Sequence, residues 1–217
     1  MNIIKLCPYP IINELTKFVI NDTYNTVEKA CKARLDLFDL LASTNKKYNY
    51  EKILYLDTDI IVKGDLQNIF DLCLKDQLYV LEEGSIDSDS DFWGKTLFVS
   101  AGDLELYTNK DTNANAFSSG ILLFNNCEKI KELFSCINLD IIKRPFTFYC
   151  HDQPYIVYNA FKYGLYDNQV LKEFVVNNDH DIRSSKIIHH FPGDPGMHHN
   201  KLKHMLRFLS GLKNMHN

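Results

Sequence analysis

Between Lys52 and Gly64 the apolar run Ile53-Leu54-Tyr55-Leu56 breaks at Asp57-Thr58-Asp59 and resumes as Ile60-Ile61-Val62. A run of this length, bounded by Lys and Gly, predicts a strand buried on both faces, as in a parallel sheet. Upstream, Val27, Ala30, Cys31, Leu37, Phe38 and Leu41 recur at helical spacing, and Asn25 with Glu28 has the form of a capping box. Arg34 falls on the same stripe. Ile3–Leu6 and Phe18–Ile20 read as short strands, separated by Pro8 and Pro10. Downstream the pattern predicts a helix over Leu66–Leu74, a strand over Leu78–Leu81 and an acidic loop over Glu82–Asp91. Trp93–Val99 fits neither period clearly, and Leu104–Ala114 is polar. A strand at Ile121–Phe124 follows Ser118-Ser119-Gly120. A helix from Glu128 to about Ile137 comes next, then another opened by Asp152 and Pro154, and finally a short strand at Ile187-Ile188. No repeat and no linker divides the chain, so one domain over residues 1–217 is expected.

Composition narrows the function. At 45% hydrophobic and 24% charged the chain is ordinary globular protein. A net charge of −4 and a pI near 6.0 argue against a nucleic-acid binder with a basic surface. No segment has the length and apolarity of a membrane span, and MNIIKLCPYP lacks the features of a signal peptide. The six cysteines include no Cys-x-x-Cys pair, which disfavours a zinc ribbon, and several lie in apolar runs as small core residues. A reducing, cytoplasmic setting is the expectation.

Five stretches carry candidate chemistry, most of them beside a plainer explanation. Along an extended chain Asp57 and Asp59 point to one side, and two like charges need water or a cation between them; a divalent ion such as Mg²⁺ or Mn²⁺ takes such oxygens. The alternative is a solvated turn. Arg34, aimed at the core side, needs an anion, either a ligand or a structural carboxylate such as Asp57. Gly120 beside small residues permits close approach to the backbone, or marks a bulge. Asp152 and Gln153 stand at a helix N-terminus, where Asp serves commonly as a cap. Six of the eight histidines lie between His180 and His204, and an imidazole from His189-His190 would complete a mixed metal site with the Asp pair.

In order along the chain, KARLDLF, ILYLDTDIIVKGDL, FSSGILLFN, HDQ and HHFPG together resemble the retaining glycosyltransferases of family 8, the glycogenin and galactosyltransferase type. The resemblance covers about Asn25 to Lys201. It implies a GT-A fold, a single α/β/α domain around a mostly parallel mixed sheet. It also implies a UDP-sugar donor with Mn²⁺ (or Mg²⁺), and a carbohydrate or protein hydroxyl as acceptor. Asp57 and Asp59 match the metal-binding Asp-x-Asp, the second using both oxygens, and His190 matches the third ligand. Arg34 matches a basic donor contact. Asp152 and Gln153 match the pair beside the sugar and the reacting carbon. Thr58, Ser119, Gly120 and Gly193 fall in the donor-contacting motifs.

The sequence departs from that pattern in three places. Phe-Asn-x-Gly is here Phe117-Ser118-Ser119-Gly120, without the amide. Gly-x-x-Lys-Pro-Trp is replaced from Gly193 onward, with Lys201 as the substitute phosphate ligand. Only 33 residues precede Arg34, which implies a shortened nucleotide-binding part. Two rival readings follow: a non-catalytic transferase fold that keeps metal or sugar binding, and an aspartyl-phosphate phosphohydrolase. The latter normally has Thr or Val where Ile61 stands. Sugar, acceptor, self-glycosylation and oligomeric state are not legible in the sequence.

Overall fold

The strand Asn115–Asn125 (β6) is the spine of the molecule, since its alternate residues feed two separate cores. Leu122 and Phe124 point into one, Ile121 and Leu123 into the other, which is the period-two geometry of a strand buried on both faces. The computed structural model describes residues 3–6, 16–19, 26–43, 50–108, 115–192 and 200–215.

β6 is flanked by Lys52–Leu56 (β3) and Leu78–Ser85 (β5), both antiparallel to it, and Tyr166–Asp167 (β7) adds to β5 in parallel. A smaller sheet runs in the order Ile60–Val62 (β4), Ile188–His190 (β9), Val175–Asn177 (β8). Ile3–Leu6 (β1) and Thr16–Val19 (β2) form a parallel pair. The sheets are mixed, as expected. Parallel and antiparallel pairings are balanced among the described residues, because β6 returns against both its neighbours.

One core lies under the helices Glu128–Lys143 (α6) and Gln153–Tyr163 (α7), whose Phe134, Ile137, Ile156 and Ala160 pack with Leu122 and Phe124. The other joins Ile121, Leu123, Tyr79 and Leu81 to Ile69 of Gln67–Asp71 (α3) and to Val175 and Ile188 of the small sheet. Phe191, Ile61 and Phe208 form a third cluster that seats the C-terminal helix Lys201–Met215 (α8).

Several expectations need correcting. Lys52–Val62 is not one strand of a parallel sheet. It breaks at a turn into β3 and β4, which belong to different sheets, and β3 is only half-buried. The helix carrying Arg34 is interrupted: Val27–Lys32 (α1) passes through a 3₁₀ turn, Ala33–Asp36, into Leu37–Ser43 (α2). Its N-cap is Thr26, whose hydroxyl accepts from Lys29 N–H at 3.3 Å; Asn25 lies outside the described residues. Glu82–Ser85 completes β5 instead of opening the acidic loop. Lys95–Ala101 and Glu105–Thr108 are helical, and α6 runs two turns beyond Ile137. Cys31, Cys73, Cys127, Cys136 and Cys150 are unpaired thiols.

Candidate active site

Within Asp57-Thr58-Asp59 the chain crosses from one sheet to the other. The Asp57 N–H donates to the Gly120 carbonyl at 2.9 Å, still tied to β6, whereas the Asp59 carbonyl accepts from Phe191 N–H at 2.9 Å, just beyond β9. This sheet switch, rather than the pleat of one straight strand, brings both carboxylates to His190. That residue lies opposite Ile60 in the centre of the small sheet. One carboxylate oxygen from each Asp and one ring nitrogen of His190 lie within 4.8 Å of one another.

Each of these three side chains has one polar atom engaged from outside and one left toward the group. Tyr55 Oη donates to Asp57 Oδ1 at 2.6 Å, and Arg34 Nη1 is 3.6 Å from the same oxygen. His190 Nδ1 meets Asn177 Oδ1 at 2.9 Å; that oxygen is an acceptor, so Nδ1 carries a hydrogen and Nε2 is the nitrogen left to face the group. Lys201 pairs with Asp59 Oδ2, leaving Asp59 Oδ1 buried, without a hydrogen bond and 3.4 Å from His190 Nε2. Burial works to raise the Asp59 pKa. The positive charge that His190 and Lys201 bring to the carboxylate outweighs it and holds the carboxyl at about 2.

Gly120 faces this group. A Cβ there would fall 2.8 Å from His190 Cε1, 2.9 Å from Nε2 and 3.0 Å from Asp57 Oδ2, so only glycine leaves the space open. An orphaned buried carboxylate oxygen, a cradle that a methyl would fill and a donor set of two carboxylates with one imidazole fit a divalent ion of the Mn²⁺ or Mg²⁺ kind. Asp59 Oδ2 is held by Lys201, so binding through both oxygens requires that ammonium to move aside.

The neighbouring residue on β6, Ser119, joins this group to the start of α7. Gln153 Oε1 accepts from Ser119 N–H at 3.0 Å and from its hydroxyl at 3.2 Å, and Gln153 Nε2 donates to the Phe92 carbonyl at 3.3 Å. Arg34 donates through Nη1 to the Ser119 carbonyl and through Nε and Nη2 to both oxygens of Asp152, at 2.8 and 3.1 Å. Asp152 stands at the N-cap of α7 as expected but makes no side-chain capping bond, because its carboxylate is committed to Arg34. The pair is buried. Burial disfavours the Arg34 charge, yet Asp152, Tyr55 and Asp57 around it raise its pKa further. Burial pushes the Asp152 carboxyl above its ordinary range, and the two-point contact with an always-charged guanidinium works against that and favours the ionised form.

Of the residues expected from sequence, Arg34, Asp57, Asp59, Ser119, Gly120, Asp152, Gln153, His190 and Lys201 thus lie in one connected set. Thr58 is exposed in the turn, and Gly193 lies outside the described residues. His189 faces away from the site: its ring nitrogens meet the carbonyls of Asp179 and Lys186, and the ring packs on Phe208. Tyr55 and Asn177 were missed. Tyr55 had a signal, since it stands two residues before Asp57 and shares its face; Asn177 had none.

The structure is similar to that of the galactosyltransferase LgtC in complex with donor and acceptor sugar analogues. The TM-score is 0.52 at 17% identity, over 91% of this chain and 76% of that one. It is also similar to mouse xyloside xylosyltransferase 1 in its apo form, with a TM-score of 0.50 at 15% identity, over 78% of this chain and 64% of that one. These likenesses identify the fold as GT-A. Curated protein sequences give no significant match. The family model of glycosyl transferase family 8 matches residues 19–166, a span that takes in Arg34, the Asp pair, Ser119-Gly120 and Asp152-Gln153 and stops short of His190. That span is well over half of the 217 residues, and the chain belongs to glycosyl transferase family 8.

Proposed function

We propose that this family 8 protein is a metal-dependent hexosyltransferase that moves a sugar from a UDP-sugar to an acceptor hydroxyl with retention of configuration. We also propose that residues 1–217 form one transferase domain. The observation that carries the reading is the convergence of Asp57, Asp59 and His190 on the open side of Gly120, one residue from the Ser119 that fixes Gln153.

Asp57, Asp59 and His190 would hold the divalent ion, which when bound supplies Lewis-acid stabilisation of the leaving diphosphate. Arg34 is given a positioning part, because its buried guanidinium is engaged by Asp152 and by the carbonyls of Ser119 and Cys31. Lys201 is the cation with freedom to act on phosphate, being part-exposed and on the first residue of α8. Gln153 is neutral and takes no proton; its carbonyl dipole, fixed by two donors from Ser119, opposes positive charge developing at the anomeric carbon. Asp152 is tied by both oxygens and is not a free base. With no base assigned to the chain, the acceptor hydroxyl attacks from the face the diphosphate leaves, and its proton passes to a departing phosphate oxygen.

Calorimetric titration of UDP with and without Mn²⁺ tests this. Binding that needs the ion, and that Asp59→Ala abolishes while the fold persists, is the expected result. Unchanged UDP affinity in Asp59→Ala would sink the metal-site assignment. Absence of UDP binding under either condition would favour a non-catalytic fold.

A further inference from the structure

We propose that Tyr55 and Asn177 are positioning residues that decide, before any ion arrives, which atoms of Asp57 and His190 face it. The inference rests on the metal-site reading above. A free carboxylate turns about its last bond and offers either oxygen, and a neutral imidazole offers either nitrogen. Both ambiguities are removed here by a single partner each.

Tyr55 lies on β3, and its hydroxyl donates to Asp57 Oδ1 at 2.6 Å. The ring is itself held, with the Arg34 guanidinium 5.1 Å from its centroid. With Oδ1 occupied, Oδ2 is the oxygen turned to the space beside Gly120. Asn177 is the register partner of His190 across the parallel β8–β9 pair, and the following Asn178 N–H fixes the His190 carbonyl at 2.9 Å. Its Oδ1 therefore meets Nδ1 from a fixed backbone position and leaves Nε2 as the nitrogen that faces Asp59 Oδ1, at 3.4 Å. The wrong tautomer would turn an N–H toward the ion. Outer partners of metal ligands are generally worth about 10–100-fold in metal affinity.

The test is Mn²⁺ affinity of the whole protein, read from the free-ion electron paramagnetic resonance signal, together with unfolding in chelator. Tyr55→Phe and Asn177→Leu should each bind Mn²⁺ about 10-fold or more weakly. Asn177→Asp, which keeps an acceptor for Nδ1–H, should retain or strengthen binding. Ion-free unfolding of Tyr55→Phe should stay near wild type, which a merely structural role would not allow. Wild-type binding left unchanged by Tyr55→Phe and Asn177→Leu overturns the positioning role while leaving the metal site standing. No Mn²⁺ binding by the wild type overturns the metal site and this inference with it. If Asn177→Leu does not fold, Tyr55→Phe, which removes one oxygen, decides.

Discussion

Arg34 and Asp152, 118 residues apart in sequence, close a two-point ion pair in which Nε donates to Oδ2 at 2.8 Å and Nη2 to Oδ1 at 3.1 Å. The pair fastens the 3₁₀ turn after α1 to the first residue of the Asp-Gln dipeptide, and through the Ser119 carbonyl to β6. A buried pair of this kind adds little against an apolar substitute, but breaking it strands a charge.

Arg34→Met should therefore cost about 3–5 kcal/mol in urea unfolding, with Asp152 left buried and unpaired. Arg34→Lys should rescue only part of that, because an ammonium cannot reach both oxygens. Arg34→Met with Asp152→Asn should be less damaging than Arg34→Met alone. A loss under about 1 kcal/mol for Arg34→Met would mean that the pair is not held in solution.

Gly120→Ala should abolish Mn²⁺ and UDP binding. The added methyl meets His190 and the Asp57 carboxylate at 2.8–3.0 Å, and none of these contacts is the loose end of a long side chain. The fold should lose about 1–3 kcal/mol from overpacking. Calorimetry beside a thermal melt separates the two effects, and normal Mn²⁺ affinity in the variant would show that no ion sits beside Gly120.

Lys201→Met should tighten Mn²⁺ binding measured without nucleotide, since the ammonium on Asp59 Oδ2 is a rival cation for the same carboxylate. The same change should weaken UDP binding in the presence of Mn²⁺, where that ammonium is proposed to serve the phosphates. Losing both affinities together would instead make Lys201 a holder of Asp59.

Without metal, the Asp59 carboxyl at about 2, below its ordinary value, makes part of the stability depend on acid. A depressed carboxyl pKa contributes above the unfolded value near 4 and loses its contribution as pH falls to about 2. Asp59→Asn should thus be less stable than wild type by about 2 kcal/mol above pH 4, the gap closing toward pH 2. Urea unfolding of both proteins in chelator across that range checks it, and a gap independent of pH would mean that His190 and Lys201 do not favour the ionised form.

Local pattern carried much of this protein. Period-two and period-3.6 spacing revealed β6, α6 and α7, and chemistry-bearing residue types in order revealed the Asp pair, Asp152-Gln153 and the histidine pair. The period-two rule puts Tyr55 on the side of Asp57, and it separates His190, in the site, from His189, turned to Phe208.

What tertiary structure alone decided is which partner each charge meets. Nothing local distinguishes an Arg34 that waits for a ligand from one committed to Asp152, or an Asp152 that caps α7 from one that does not. Nor does the run Lys52–Val62 record that its first half pairs with β6 and its second with β9. An apolar strand segment reads the same whichever neighbour supplies its hydrogen bonds, and buried polar atoms find their partners across folded distance, not along the chain.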